Sequence, residues 1–218
     1  MTNRAIAESV FKTFAGKEGC QHIASNNALN GIMNLISKYG CSTVFEVGIG
    51  IGTIPYALNE YVAANPGKKL KYTGIEENAF CLGQLKQNLT GLDKNFDYSQ
   101  FAAIDMVPQA FYDLLIVDGA NDSVEKIKRL CNPSGRTILF VEGDRKGQVD
   151  ILKKMFDNYI MFREVTNEKN QDYSPFPKNE YIHGYTVIII NPTGSDKSYR
   201  FARKIATSVK YKMRQMKK

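Results

Sequence analysis

The chain has 218 residues, 43% of them hydrophobic, which is typical of one soluble globular domain with a full core. No apolar run is long enough to span a bilayer, and the four cysteines are too widely separated to indicate a disulfide framework or a zinc site. The net charge of +7 is uneven, because residues 197–218 hold nine basic and no acidic residues. An inference about an anionic partner must therefore rest on this basic segment.

The N-terminal residues 1–40 are expected to form a helical cover on a single domain that spans residues 1–195. Glu8 interrupts the first apolar stretch, whereas a secretory signal peptide needs a continuous one. We therefore expect a cytoplasmic location, with peripheral attachment to the inner membrane surface as a further hypothesis for the basic segment.

Apolar runs and helical patterns alternate along the rest of the chain. Seven runs predict strands, at about 43–48, 70–75, 95–99, 113–118, 136–141, 159–165 and 185–190. This alternation predicts a Rossmann-like, doubly wound α/β fold with a mostly parallel sheet covered on both faces. The last of the seven strands is expected to be antiparallel.

Three alternating glycines follow the first predicted strand, in the run FEVGIGIG at residues 45–52. Glycines at a strand-to-helix turn allow a ligand to approach the backbone closely. A dinucleotide-binding fingerprint that begins at Gly48 would need its third glycine at position 53, where this chain has Thr53. The spacing therefore disfavours a dinucleotide.

Two acidic residues end the next predicted strands. Glu76 follows Gly52 by 24 residues, and a carboxylate at this place can accept both ribose hydroxyls of a bound nucleoside. Asp118 ends the run at 113–118, at the sheet edge where open α/β sheets bind ligands. Asp118 is expected to face the reacting group or the substrate, and capping of the following helix is an equal alternative.

The glycine run with Glu46 resembles the first motif of class I S-adenosylmethionine-dependent methyltransferases. From Ser42 to Val141, the order and spacing of segments is similar to the catechol O-methyltransferase-like branch. The resemblance implies S-adenosylmethionine as cofactor, with its adenine against residues 101–103. The implied cofactor-binding residues are Glu46, Gly48, Gly50, Gly52, Glu76, Phe101, Ala102, Ala103 and Asp118.

The resemblance implies methyl transfer to a small polar acceptor, most simply at oxygen. Two alternatives stay open: an RNA or protein methyltransferase that uses the basic segment for its partner, and a catalytically inactive subunit that binds the cofactor. Transfer to a hydroxyl needs a group that removes its proton, and the candidates are Asp118, Glu142, Asp144 and His183. A histidine suits this role because the residue type exchanges protons near neutral pH, although a structural loop histidine is the alternative.

Metal-dependent members of the branch bind a divalent cation with an Asp after the fourth strand and an Asp-Asn pair after the fifth. Here Asp118 matches the first, but Glu142 and Gly143 stand in place of the pair. Asp118, Glu142 and Asp144 could still offer three oxygen ligands. Acids at a sheet edge more often cap helices or bind substrate, so the sequence disfavours a divalent metal.

Two further segments are candidates for binding the acceptor. Arg145 and Lys146 can hold a carboxylate or phosphate, although a solvated turn is an equal alternative. The loop at 166–184, which contains Tyr173 and Tyr181, is long enough to act as a lid. We predict that it covers the acceptor.

Residues 196–218, which contain the basic segment, are predicted to form an amphipathic helix or tail. Its apolar residues recur every four positions, at Phe201, Ile205, Val209 and Met213. This stripe could pack on the domain, belong to a partly disordered end, or lie on an anionic membrane. A nucleic-acid backbone is the less favoured partner, because an apolar stripe adds little to phosphate binding.

Overall fold

The computed structural model describes residues 1–118, 121–143 and 145–216. Within them a single sheet contains β1 (Thr43–Val47), β2 (Leu70–Ile75), β3 (Phe96–Phe101), β4 (Leu114–Val117), β5 (Thr137–Glu142), β6 (Tyr159–Glu164) and β7 (Tyr185–Ile190). The strand order is β3-β2-β1-β4-β5-β7-β6. β7 is antiparallel to β5 and to β6, and the remaining neighbours pair in parallel. The predicted α/β fold, seven strands and antiparallel last strand are confirmed.

Helices cover both faces of the sheet. They are α1 (Asn3–Ala15), α2 (Asn26–Tyr39), α3 (Thr53–Ala64), α4 (Ala79–Asn88), α5 (Asn121–Lys126), α6 (Lys146–Met155) and α7 (Gly194–Met216). Adjacent strand residues point to opposite faces, so Val44 enters one apolar cluster with α1, α2 and α3, whereas Phe45 enters a second cluster with α5 and α6. This arrangement is why the central strands read as continuous apolar runs.

The parallel strands end at one edge of the sheet, and the order of strands creates a crevice there. β1 lies between β2 and β4, and the chain leaves β1 toward β2 on one side and reaches β4 only later on the other. Open α/β sheets bind ligands at such a reversal, outside the carboxyl ends of the strands. β6 runs in the same direction, so the segment that follows it begins at this edge as well.

Helix α7 runs along β6 and attaches to it through polar side chains. Three of them, spaced seven residues apart, donate to backbone carbonyls: Arg200 Nε to Met161 (3.1 Å), Thr207 Oγ1 to Arg163 (2.6 Å) and Arg214 Nε to Thr166 (2.9 Å). Arg203 also forms an ion pair with the buried Glu164. The polar half of α7 therefore faces the protein.

The apolar stripe of α7 faces away from the domain. Phe201 is 69% exposed, Ile205 51% and Val209 50%, so the alternative in which this stripe packs on the domain does not hold. The reason is that β6 offers backbone carbonyls to the helix, and arginine and threonine side chains satisfy these better than apolar ones. Among the helices of the described residues, none is both long and apolar enough to cross a bilayer.

Candidate active site

A cleft of about 690 Å³ opens at the carboxyl edge of β1, β2, β4 and β5. Its volume lies within the range of small-molecule sites, about 300–1,000 Å³. The lining residues are Gln21, His22, Ile23, Val47, Gly48, Gly50, Ile75, Glu76, Glu77, Asn78, Cys81, Ala102, Ala103, Ile104, Asp105, Asp118, Ser123, Lys126, Glu142, Gly143, Arg145, Phe176 and His183. The cleft thus joins the glycine loop to most of the acidic and basic candidates.

The glycine loop forms one wall of the cleft through Gly48 and Gly50. The amides of Gly48 and Ile49 both donate to the carbonyl of Ile75, which ties the loop to the end of β2. Gly50 has a φ of +59°, and a Cβ added there would lie 2.7 Å from the carbonyl oxygen of His22. The position therefore requires glycine for its backbone conformation and for its contact with the N-terminal segment.

Glu76 is held in place by backbone amides. Its Oε2 accepts from Gly50 (2.8 Å), and its Oε1 accepts from Glu77 (3.0 Å) and Asn78 (2.9 Å). The side chain of Asn78 in turn caps α4 by accepting from Phe80. A carboxylate has about four lone-pair sites, so Glu76 keeps capacity to accept from a hydroxyl in the cleft.

Three residues that were expected to bind the cofactor do not line the cleft. Glu46 is 1% exposed and accepts a hydrogen bond from the Tyr72 hydroxyl, and burial raises its pKa well above the usual range. Gly52 is the N-cap residue just before α3, and a Cβ there would meet Leu85 at 2.9 Å. The side chain of Phe101, the last residue of β3, packs against the second apolar cluster. Its backbone carbonyl accepts from the Glu76 amide at 3.0 Å. These three residues support the wall of the cleft from behind.

Asp118 and Glu142 lie side by side at the opposite end of the cleft. Val117 of β4 pairs with Val141 of β5, so the residues that follow them, Asp118 and Glu142, occupy neighbouring positions at the strand ends. Arg145 forms an ion pair with Asp118 and donates Nη1 to its backbone carbonyl at 2.9 Å. Oε1 of Glu142 accepts from both the amide and the hydroxyl of Ser25, each at 2.8 Å.

The surroundings raise the pKa values of these two carboxyls to different extents. Burial raises the pKa of Asp118, and the nearby guanidinium of Arg145 opposes that rise. Burial raises the pKa of Glu142 further above its ordinary value, with added repulsion from the charge of Asp118. The pKa of Glu142 is therefore the more strongly raised of the two, and the ion pair with Arg145 limits the rise at Asp118.

The loop between β6 and β7 reaches the cleft through Phe176 and His183. Their rings lie 5.5 Å apart, and both line the cavity. The backbone carbonyl of His183 accepts from Asn27 of α2 at 2.9 Å, which fixes this part of the loop to the N-terminal helices. The loop therefore lies at the edge of the sheet where it was expected.

Three of the expected acceptor-binding residues lie away from the cleft. Lys146 is exposed and pairs with Asp150 in the next turn of α6. Tyr173 rests against Phe11 of α1, with ring centroids 6.2 Å apart. Tyr181 lies under the guanidinium of Arg214, 4.2 Å from its ring centroid, and so belongs to the attachment of α7. Only Arg145 of this set lines the cavity.

Asp144, a candidate base and metal ligand, lies outside the described residues. Among the residues that are described, no group of three or more His, Cys, Asp or Glu side chains is arranged to hold a metal ion.

The sequence reasoning missed the contribution of the N-terminal segment. Gln21 and His22 lie on a short 3₁₀ turn, Cys20–His22, that packs over the glycine loop and lines the cleft. Ser25 both caps α2, accepting from the Ala28 amide, and donates to Glu142. The Ser25 cap was visible as a helix-start signal, but its bond across the sheet had no sequence signal.

No protein-family model matches the sequence, and no curated protein matches it either. Solved structures do share its fold. An O-methyltransferase from Bacillus cereus in complex with SAH is 12% identical with a TM-score of 0.58, and the match covers 86% of this chain and 91% of that one. An O-methyltransferase of tomaymycin synthesis from Streptomyces achromogenes, in complex with SAM, is 13% identical with a TM-score of 0.54, covering 88% and 91%.

A nucleic-acid enzyme is among the similar structures as well. The tRNA (m1A58) methyltransferase from Aquifex aeolicus is 17% identical with a TM-score of 0.56, and the match covers 84% of this chain and 76% of that one. At these identities the likeness shows the fold alone. The chain therefore has the Rossmann-like fold of class I methyltransferases, as the sequence predicted.

Proposed function

We propose that this chain is an S-adenosylmethionine-dependent methyltransferase that acts on a hydroxyl group of a small polar acceptor. The observation that carries the proposal is the division of one cleft into two halves. One half has the glycine loop and the oriented carboxylate of Glu76, and the other has Asp118, Glu142, Arg145 and His183.

The first half fits an adenosyl group. Glu76 would accept a ribose hydroxyl, because its carboxylate is fixed by three backbone amides and faces the cavity. Gly48 and Gly50 allow the amino-acid portion to approach the backbone, and the small side chains of Ala102 and Ala103 leave room for a flat base. When bound, the cofactor supplies a methyl group made electrophilic by the sulfonium.

The second half would hold the acceptor and remove its proton. His183 is our candidate for the general base, because Asp118 is committed to Arg145 and Glu142 favours its protonated form. Arg145 and the ionised Asp118 would orient a polar acceptor, since both offer charged hydrogen-bonding groups at the mouth of the cleft. Phe176 beside His183 would exclude water from that end.

The experiment is methyl transfer from S-adenosylmethionine that carries an isotopic label in its methyl group. The acceptors are a panel of small hydroxylated compounds, bulk RNA and denatured protein, and S-adenosylhomocysteine binding is measured in parallel by calorimetry. Label in a small hydroxylated compound supports the proposal. Label only in RNA or protein favours the alternative macromolecular methyltransferase, and binding without any transfer favours an inactive cofactor-binding subunit.

The RNA or protein alternative has less support from the geometry of α7. Of its basic residues, Arg200, Arg203 and Arg214 are engaged with β6 and the segment after it. A phosphate backbone would have to be held by the remaining lysines, and affinity for nucleic acid falls with the number of phosphate contacts.

A further inference from the structure

Helix α7 is amphipathic, but its polar face packs against the protein and its apolar face points to solvent. Its polar half is attached to β6, as described above, and its apolar half is exposed to solvent. The outward stripe consists of Phe201, Ile205 and Val209, and Met216 extends it at the C-terminal end with 86% exposure. A surface helix normally shows the opposite arrangement, with its apolar stripe toward the core.

Cationic side chains accompany the stripe. Lys197, Lys204 and Lys212 are exposed residues of this helix. The one acid of α7 is Asp196, which is buried and pairs with Arg136. The outward half of α7 is therefore apolar along its middle and positive along its flank, with no acidic side chain to offset that charge.

A second cleft lies beside the stripe, between β6 and α7. Its volume is about 650 Å³, and its lining includes three cationic side chains, Arg163, Arg200 and Lys204, against one acidic residue, Asp157. Ser208 and Tyr211 add hydroxyl groups at the same wall. Arg200 is already bonded through Nε to the carbonyl of Met161, so Lys204 and the hydroxyl groups are the donors that this groove offers to a phosphate.

We propose that the outward face of α7 and the adjoining cationic groove form a docking surface for a bilayer that contains anionic phospholipid. The apolar stripe would enter the boundary between headgroups and acyl chains, and the lysines and the groove would contact headgroup phosphates. Charge complementarity selects this occupant, because a second copy of the chain would bring the same positive charges against these. The proposal does not depend on the methyltransferase assignment.

The test is co-sedimentation of the full chain with vesicles. One set contains phosphatidylcholine alone, and the other contains equal parts of phosphatidylcholine and phosphatidylglycerol. We expect binding to the second set and little to the first. Equal binding to both sets, or to neither, would overturn the proposal.

Two groups of variants separate charge from apolar contact. The substitutions Lys197→Gln, Lys204→Gln and Lys212→Gln together should weaken binding to the anionic vesicles about a hundredfold. Phe201→Gln, Ile205→Gln and Val209→Gln together should weaken it at least about tenfold through lost apolar burial. The three apolar positions, Lys197 and Lys212 lie on the exposed side of α7, and Lys204 is an exposed residue at the rim of the groove, so the fold is expected to be retained.

Matched controls lie elsewhere on the surface. The triple change at the exposed Lys68, Lys69 and Lys86 removes the same charge near the other edge of the sheet. Met106→Gln with Phe111→Gln removes exposed apolar side chains from another site. Both controls should bind vesicles as the unchanged chain does. If the α7 variants also do so, or if the stripe variant instead dissociates a soluble dimer, lipid docking is wrong.

Discussion

The backbone amide of Gly50 donates a 2.8 Å hydrogen bond to the side-chain carboxylate of Glu76. The bond links the loop after β1 to the residue after β2, so the two features that the sequence singled out hold each other in position. Gly50 also leaves room for the carbonyl of His22, because a Cβ at this position would lie 2.7 Å from that oxygen. One residue thus connects the N-terminal segment, the glycine loop and the candidate ribose acceptor.

Replacing Glu76 with glutamine should weaken the binding of S-adenosylhomocysteine. Hydrogen bonds to a charged group contribute about 1.5–3 kcal/mol, so we expect an affinity loss of about ten- to a hundredfold by calorimetry. Glu125→Gln changes an exposed carboxyl of α5 and should leave the affinity unchanged. Unaltered affinity in the Glu76 variant would remove the support for an adenosyl site here.

Replacing Gly50 with alanine should destabilise the fold. A left-handed backbone costs a residue with a Cβ about 1–2 kcal/mol, and the new atom would also crowd the carbonyl of His22. Gly83→Ala is the matched change, because that glycine lies within α4 and a Cβ there has no neighbour within 4 Å. It should stabilise the chain by about 0.5–1 kcal/mol. Urea unfolding that showed the same shift for both variants would contradict this account of Gly50.

The substitution Glu142→Gln should change how stability depends on pH. The pKa of Glu142 is higher in the folded chain than in the unfolded one, so folded molecules bind the proton more tightly. Stability from this group is therefore present in acid and is lost as pH rises from about 4 through the raised pKa, at about 1.4 kcal/mol for each unit of the difference. Glutamine can still accept from Ser25 but has no proton to lose.

The measurement is the free energy of unfolding at pH 5 and pH 8. The unchanged chain should lose more stability between these values than the Glu142 variant, by at least about 1 kcal/mol. Glu180→Gln, at an exposed carboxyl in the loop before β7, should follow the unchanged chain. Equal losses in all three would show that Glu142 titrates as an ordinary carboxyl.

His183→Gln should lower the rate of methyl transfer without changing the affinity for the cofactor. Loss of a positioned general base typically costs about 10²–10⁴-fold, and the remaining activity should rise with pH as the acceptor ionises by itself. Tyr181→Phe changes the same loop at a residue that does not line the cleft, and its activity should be normal. If the His183 variant transfers methyl at the normal rate, the base must be sought at Asp118 or elsewhere.

The alternation of strands and helices, and the shared edge at which the parallel strands end, could be predicted from the sequence. β2 and β7 occur at the predicted positions, since both are mostly buried runs whose first and last residues are apolar or aromatic. Glu76 and Asp118 could be placed at one edge because parallel strands carry their last residues there. These inferences needed only the strand period and the parallel order.

Features that depend on which side of an element faces the protein could not be predicted. Spacing put Glu46 within the motif but did not show that its side chain points into the core beneath Tyr72. Similarly, the period of α7 defined a stripe at Phe201 and Ile205 but not its direction, which depends on the carbonyls of β6. The contact of Ser25 with Glu142 joins residues 117 positions apart, and no local pattern encodes such a pair.

β6 is the outermost strand on its side of the sheet, and α7 occupies its outward backbone acceptors at Met161 and Arg163. An uncovered edge strand can pair with a strand of another molecule and so begin aggregation. By covering this edge, α7 blocks the addition of a strand from another molecule, whatever else the helix binds. A chain shortened before residue 194 is expected to self-associate through β6, and for that reason its solubility depends on a segment far from the candidate active site.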